Sequence, residues 1–127
     1  MEGGCLCGAV RYRVTEPAQR SFLCHCKDCQ RQSGSGYLPL MVVPRSGFAV
    51  EGETASFTTT GESGRKLVRH FCTTCGSPLY EDAEAMPDAV MITAGTLDDI
   101  NDFTPARSIF ANNRAHWDVL IEAPKTG

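Results

Sequence analysis

The sequence is short of several things, and each shortage removes a class of reading. Aromatic residues make up only 8% of its 127 residues, with a single tryptophan. Basic residues do not exceed acidic ones: 12 stand against 15, a formal net charge of −3. Nucleic acid is therefore not the expected partner, because phosphate recognition relies on a basic surface. No apolar run is long enough to span a bilayer, so no membrane partner is expected either. The chain opens Met1-Glu2-Gly3-Gly4, without a basic-then-apolar targeting segment. A cytoplasmic location is the resulting expectation, a setting in which thiols stay reduced. There is no internal repeat and no low-complexity tract. The length suits a single domain over residues 1–127.

Cysteine is what the chain has in plenty. Seven fall in three tight groups: Cys5-Leu6-Cys7, Cys24-His25-Cys26-Lys27-Asp28-Cys29 and Cys72-Thr73-Thr74-Cys75. An odd count cannot pair completely into disulfides, and partners two residues apart do not bridge easily. A redox disulfide between Cys26 and Cys29 or between Cys72 and Cys75 stays open. Thiolates grouped on short turns are what a tetrahedral zinc ion needs. Four cysteines close one site, and the remaining three leave a position for water, a protein side chain or a substrate thiol. Spacing does not prove how the groups combine; Cys5, Cys7, Cys72 and Cys75 are the expected closed, structural set. Cys24, Cys26 and Cys29 make the open one. A second structural site, completed by His25, His70, His116 or an acid, is the plainer alternative. His25, lying between two ligands, is read as pointing to solvent.

Most of the rest reads as short strands. Val10, Tyr12 and Val14 alternate with Arg11 and Arg13 over residues 8–14. Residues 37–43 are apolar, with Pro39 marking an edge or bulged strand. Further strands are read at 48–50, 55–60, 67–71, 78–80 and 89–94, separated by glycine- and proline-bearing turns. Residues 81–88 read as an exposed acidic loop, 102–105 and 107–110 as irregular, and 116–118 as the start of a short helix. A polar helix or turn follows Cys29 and ends at Gly34-Ser35-Gly36. Tyr37, Phe110 and Trp117 are read as ordinary core aromatics, and an exposed patch of them would instead favour a binding module. The expected class is all-β, with short helical turns.

The motifs together resemble the glutathione-dependent formaldehyde-activating enzyme family, which includes centromere protein V-like proteins. The matching pieces are Gly4-Cys5-Leu6-Cys7-Gly8, Val10-Arg11-Tyr12, the Cys24–Cys29 group, Ser33-Gly34 and Phe71-Cys72-Thr73-Thr74-Cys75-Gly76-Ser77-Pro78-Leu79. Gly95-Thr96-Leu97-Asp98-Asp99, Pro105, Ile109 and Trp117 continue the match. The chain departs from the family at Gln30, where a basic residue is usual, and at Ser108, where histidine is common. The resemblance implies an Mss4-like β-tent of small antiparallel sheets around zinc. It implies structural zinc on Cys5, Cys7, Cys72 and Cys75, and functional zinc on Cys24, Cys26 and Cys29. It also implies a carbon–sulfur lyase acting on an adduct of glutathione, or another small thiol, with formaldehyde or a similar small aldehyde. Backbone N–H groups of Ser33, Gly34, Ser35 and Gly36, helped by Arg31, are the expected hold on a glutathione carboxylate. The non-enzymatic alternative is a zinc-stabilised binding or carrier domain.

Overall fold

The computed structural model describes residues 1–61 and 63–118. Its strands, in chain order, are β1 (Glu2–Gly4), β2 (Arg11–Val14), β3 (Arg20–Cys24), β4 (Leu38–Pro44), β5 (Phe48–Glu51), β6 (Thr54–Thr60), β7 (Lys66–Cys72), β8 (Pro78–Ala83), β9 (Ala89–Thr93) and β10 (Arg107–Ile109). The one α-helix among the described residues, α1, covers Lys27–Ser33. Four short 3-10 turns complete the regular structure among the described residues. The all-β class expected from the sequence is the one observed.

Two sheets form. β1, β2 and β5 make a three-stranded sheet, and the others a seven-stranded sheet in the order β10-β3-β4-β9-β8-β7-β6. The larger sheet is antiparallel except at its edge, where β10 runs parallel to β3. That strand lies in a stretch expected to be irregular. It is three residues long, too short for a β-pattern to emerge, and is held by pairing with β3.

β4 explains the layering. Leu40, Met41, Val42 and Val43 are all buried, which happens only when both faces of a strand are covered. Met41 and Val43 pack with Val10, Tyr12, Leu79, Val90 and Ile92 under the smaller sheet. Leu40 and Val42 face the other way, toward Phe22, Leu38 and Met91, where α1 lies. Each core holds one group of cysteines: Cys5 and Cys72 belong to the first, Cys24 and Cys29 to the second.

β4 is central, not the edge or bulged strand that Pro39 suggested. The β4–β9 ladder starts at Leu40, so position 39 has a neighbouring strand only on its β3 side. Proline is tolerated there without cutting through two ladders. A second correction concerns residues 81–88. Glu81, Asp82 and Ala83 belong to β8, and Glu81 is 2% exposed. It sits in register with Arg69 of β7, which meets it at 2.7 Å. Residues 116–118 form a turn, and any helical continuation lies outside the described residues, as does the tail 124–127.

Gly52 links β5 to β6 at φ +107°, and a Cβ there would stand 2.3 Å from the Ala9 carbonyl oxygen. Gly52→Ala is expected to cost about 2 kcal/mol or more, since both backbone strain and a backbone clash oppose it. A denaturant melt that left the midpoint unmoved would refute this.

Candidate metal centres

The first centre is built from two matching turns. Cys5 follows β1 and Cys72 ends β7, so each turn starts where a strand stops. In each, the glycine three or four residues on donates back to the first cysteine's carbonyl: Gly8 to Cys5 at 3.1 Å, Gly76 to Cys72 at 2.9 Å. Both glycines are left-handed, at φ +82° and +77°. Further N–H groups aim at the sulfurs: Val10 donates to Cys5 Sγ at 3.2 Å and Thr74 to Cys72 Sγ at 3.3 Å. Ser77 joins the turns, accepting from the Leu6 N–H at 3.0 Å with its Oγ 3.2 Å from Cys75 Sγ.

The four sulfurs lie within 4.8 Å of one another, with Cys5–Cys7 at 3.6 Å and Cys7–Cys72 at 3.8 Å. A tetrahedron with metal–sulfur bonds of ~2.3 Å places its sulfurs about 3.8 Å apart. A disulfide would need ~2.05 Å, and all seven cysteines are free thiols. The donor set therefore fits a four-coordinate metal ion. The Ser77 hydroxyl, with backbone N–H groups behind it, brings the Cys75 thiol down to about 5, toward the ligating form.

The second centre sits at the other core. Cys24 ends β3, Cys26 caps α1 and Cys29 lies in its first turn. Cys26 Sγ accepts from the Cys29 N–H at 3.4 Å, a side-chain cap on an otherwise orphaned donor. The three sulfurs also lie within 4.8 Å of one another. The Cys29 thiol donates to Cys24 and lowers it to about 6, with the Arg69 charge helping; Cys29 moves up in consequence. This set too fits a metal ion, through three thiolates.

Among the described residues no histidine or carboxylate joins the three sulfurs. His70 meets Asp82 at 2.7 Å and stacks on Tyr80, and His116 is exposed. His25 is completely buried, not pointing to solvent as its position between two ligands suggested. Its backbone N–H donates to the Ile109 carbonyl, its Nδ1 lies 3.1 Å from Asp118 Oδ2, and its ring faces Tyr37 at 5.6 Å. Chain more than eighty residues downstream closes over it, which no local pattern could foretell.

α1 divides the residues expected to hold a ligand. Ser33 and Ser35, with Tyr37, Ser77, Thr93 and Thr96, line a cavity of about 360 Å³ between the C-terminal end of α1 and Ser77 of the first centre; Cys24, Cys26 and Cys29 are not among its lining residues. Gly34 caps the helix at φ +68° in open space, and Gly36 is buried, its absent Cβ 2.8 Å from the Trp117 ring. Arg31 lies elsewhere, in a cavity of about 250 Å³ against β6 and β7. A helix turns about 100° per residue, so positions 31 and 33 face opposite ways. Ser77, Tyr37 and Arg69 at these sites were not expected from the sequence; only the Cys75-Gly76-Ser77 motif hinted at the first. Phe110 and Trp117 are 61% and 65% exposed, so they are surface and not core aromatics, while Tyr37 is half-buried.

A β-rich chain folded around two cysteine clusters, each fit to hold a metal ion, defines a domain of the β-tent type. The chain belongs to the glutathione-dependent formaldehyde-activating enzyme family, whose profile matches residues 1–113. It is 30% identical over 135 aligned positions to a Halomonas elongata protein named, provisionally, a glutathione-dependent formaldehyde-activating enzyme; the alignment covers 97% of this chain and 82% of that one. The crystal structure of a Rhodobacter sphaeroides protein superposes with a TM-score of 0.62 at 20% identity, covering 77% of this chain and 88% of the other. That likeness speaks to fold. Among the described residues no helix is long and apolar enough to cross a membrane.

Proposed function

We propose that the chain, acting as one domain over residues 1–127 in a reducing, cytoplasmic setting, is a zinc-dependent carbon–sulfur lyase. Its substrate in this reading is the adduct of glutathione, or another small thiol, with formaldehyde or a similar small carbonyl. The observation that carries it is the second centre: three sulfurs within 4.8 Å of one another, with no fourth protein ligand among the described residues. Zinc, when bound there, lowers the pKa of a coordinating thiol and so supplies the nucleophilic sulfur at neutral pH.

The chain's own residues do the rest. Cys24, Cys26 and Cys29 would hold the metal. In this reading the Ser35–Gly36 stretch borders the thiol's carboxylate, while the Gly34 and Ser35 N–H groups and the Ser33 hydroxyl hold the loop itself, donating to Gln30 O, Ser33 Oγ and Tyr37 O. Arg31 adds positive charge on the far side of α1. In the addition direction a sulfur–carbon bond forms, the carbonyl double bond becomes a C–O single bond, and the thiol's proton ends on that oxygen. The lyase direction reverses each of these. No covalent bond to the protein is required, because the substrate's own sulfur is the nucleophile.

The test is adduct exchange measured on zinc-loaded protein and on Cys26→Ser, with glutathione binding measured in parallel. The variant retains the first zinc and is expected to lose at least ~100-fold of the rate above background, the scale on which removing a metal ligand acts. Wild type indistinguishable from the uncatalysed reaction defeats the enzymatic reading. The exposed Phe110 and Trp117 favour a second reading, a binding or carrier domain, which holds if glutathione binds but exchange is not accelerated.

A further inference from the structure

Three thiolates around a divalent ion leave one net negative charge, and a charge in a protein core is costly unless another offsets it. The second centre lies in such a core: Cys24 and Cys29 are buried and pack with Phe22, Leu38, Leu40 and Met91. The charged side chains of α1, Lys27, Asp28 and Arg31, are exposed, where water and salt screen them. His25, buried between two of the cysteines, has its own carboxylate in Asp118 at 3.1 Å. One cation remains. Arg69, 5% exposed, is the only buried lysine or arginine among the described residues.

Its direction follows from strand alternation. Residues two apart in a strand share a face, so Arg69 points the same way as Leu67, and on β8 Glu81 points the same way as Ala83. Leu67 and Ala83 pack against the core that holds Cys24 and Cys29. Arg69 and Glu81 therefore stand on the sheet face that carries the second centre, opposite each other in the β7–β8 ladder and 2.7 Å apart. Arg69 also lines the cavity between α1 and the β6–β7 pair, together with Asp28 and Arg31, which stand before and after Cys29 in the helix. The pair and the centre feel each other. Beyond the Cys29 hydrogen bond, the Arg69 charge helps to hold the Cys24 thiol down; beyond burial, the Cys24 charge helps to push the Glu81 carboxyl up.

We propose that Arg69 is the counter-charge of the second centre, a positioning residue whose fixed positive charge strengthens metal binding by Cys24, Cys26 and Cys29, with Glu81 limiting how much of that charge reaches them. A guanidinium keeps its proton at every ordinary pH, so its charge is constant. An ionised Glu81 cancels much of the field that Arg69 casts on the sulfurs. A neutral side chain in its place leaves the full charge facing them. Arg69 acts through the cysteines and is not itself a ligand. The inference rests on the reading that the second centre holds a divalent metal, and it is independent of the lyase chemistry.

The experiment titrates cobalt(II) into full-length protein that carries zinc in the first centre only. Thiolate-to-cobalt charge-transfer absorption is read against a competing chelator, and Cys26→Ser identifies the part of the signal that belongs to the second centre. At pH 8, above the Glu81 value of about 7, that carboxylate is charged. Arg69→Gln is expected to weaken cobalt binding at the second centre about tenfold, and Arg69→Lys, which keeps the charge, to recover most of the loss. Glu81→Gln keeps an acceptor for Arg69 and removes the opposing charge, so it is expected to tighten binding severalfold. A residue that merely supports the fold would weaken binding in every variant, so the opposite signs of Arg69→Gln and Glu81→Gln mark the electrostatic role. Glu81→Gln with unchanged or weaker binding overturns the proposal, as does Arg69→Lys binding as weakly as Arg69→Gln. If Arg69→Gln does not fold, the sign for Glu81→Gln decides alone. If the parent chain takes up no cobalt beyond the first centre, the metal reading of the second centre falls and the counter-charge with it. If cobalt binds there and no variant shifts its affinity, the counter-charge alone falls. If the variants shift as expected while exchange matches the uncatalysed rate, the counter-charge stands and the lyase reading falls.

Discussion

Cys72→Ser is expected to abolish the cooperative thermal transition, and a strong chelator should do the same to the unaltered chain. Cys72 is 1% exposed, closes β7 and belongs to the core beneath the smaller sheet. Its sulfur lies 3.8 Å from that of Cys7, 65 residues away. Metal at a closed four-thiolate site contributes on the order of 10–16 kcal/mol in small zinc domains. That matches or exceeds the whole stability of a typical domain, about 5–15 kcal/mol. Circular dichroism on heating, with metal content measured on the same sample, checks the result. Cys29→Ser should behave differently, losing metal from the second centre while a transition remains. A Cys72→Ser protein that melts like the parent would show that the first centre is not structural.

Arg69→Leu is the second large effect, with an expected loss of about 3–5 kcal/mol, the cost of leaving a buried charge without its partner. The uncompensated group is Glu81, 2% exposed, with a second carboxylate oxygen already lacking a hydrogen bond. Burial pushes the Glu81 carboxyl up to about 7, against the pull of Arg69. With the folded value above the unfolded one, near 4.5, the proton favours the folded state. Stability linked to this group is fully present below about pH 4.5 and lost as pH rises through about 7. Removing Arg69 raises the carboxyl further. The gap between variant and parent should therefore be widest at pH 8 and narrow toward pH 5. Arg69→Leu combined with Glu81→Leu should recover most of the loss. Urea midpoints at two pH values decide it; a gap that widened on acidification would contradict the sign.

The contrast between Glu81 and the cysteines shows what a linear sequence can and cannot carry. A knuckle is local: Cys72, Cys75 and Gly76 fix one turn among themselves, so its form is written in adjacent letters. The division of the thiols into four and three follows from counting. Glu81 is polar by every local measure, and only the arginine opposite it on β7 makes its burial tolerable. His25 is covered by Ile109 and Asp118, and β10 exists because β3 offers an edge to pair with. Pro39 argues against a central strand until the β9 ladder is seen to stop short of it. Arg31 and Ser33 look like neighbours in one cradle, yet half a helical turn sends them to separate cavities. Each of these is a long-range or rotational fact, invisible to spacing along the chain.

The two centres also differ in how much chain must exist before they can form. The second is complete within one turn of polypeptide, from the end of β3 into α1. The first waits for partners 65 residues apart, and closing a loop that long costs roughly 2–3 kcal/mol more than closing a turn. During synthesis Cys5 and Cys7 leave the ribosome first but stay half-made until Cys72 and Cys75 arrive. The later-named centre is thus expected to assemble first, and a nascent chain truncated before residue 72 is expected to bind metal at its Cys24–Cys29 turn alone, which metal titration of the truncated chain checks. The order of birth of the two sites runs opposite to the order in which their cysteines begin.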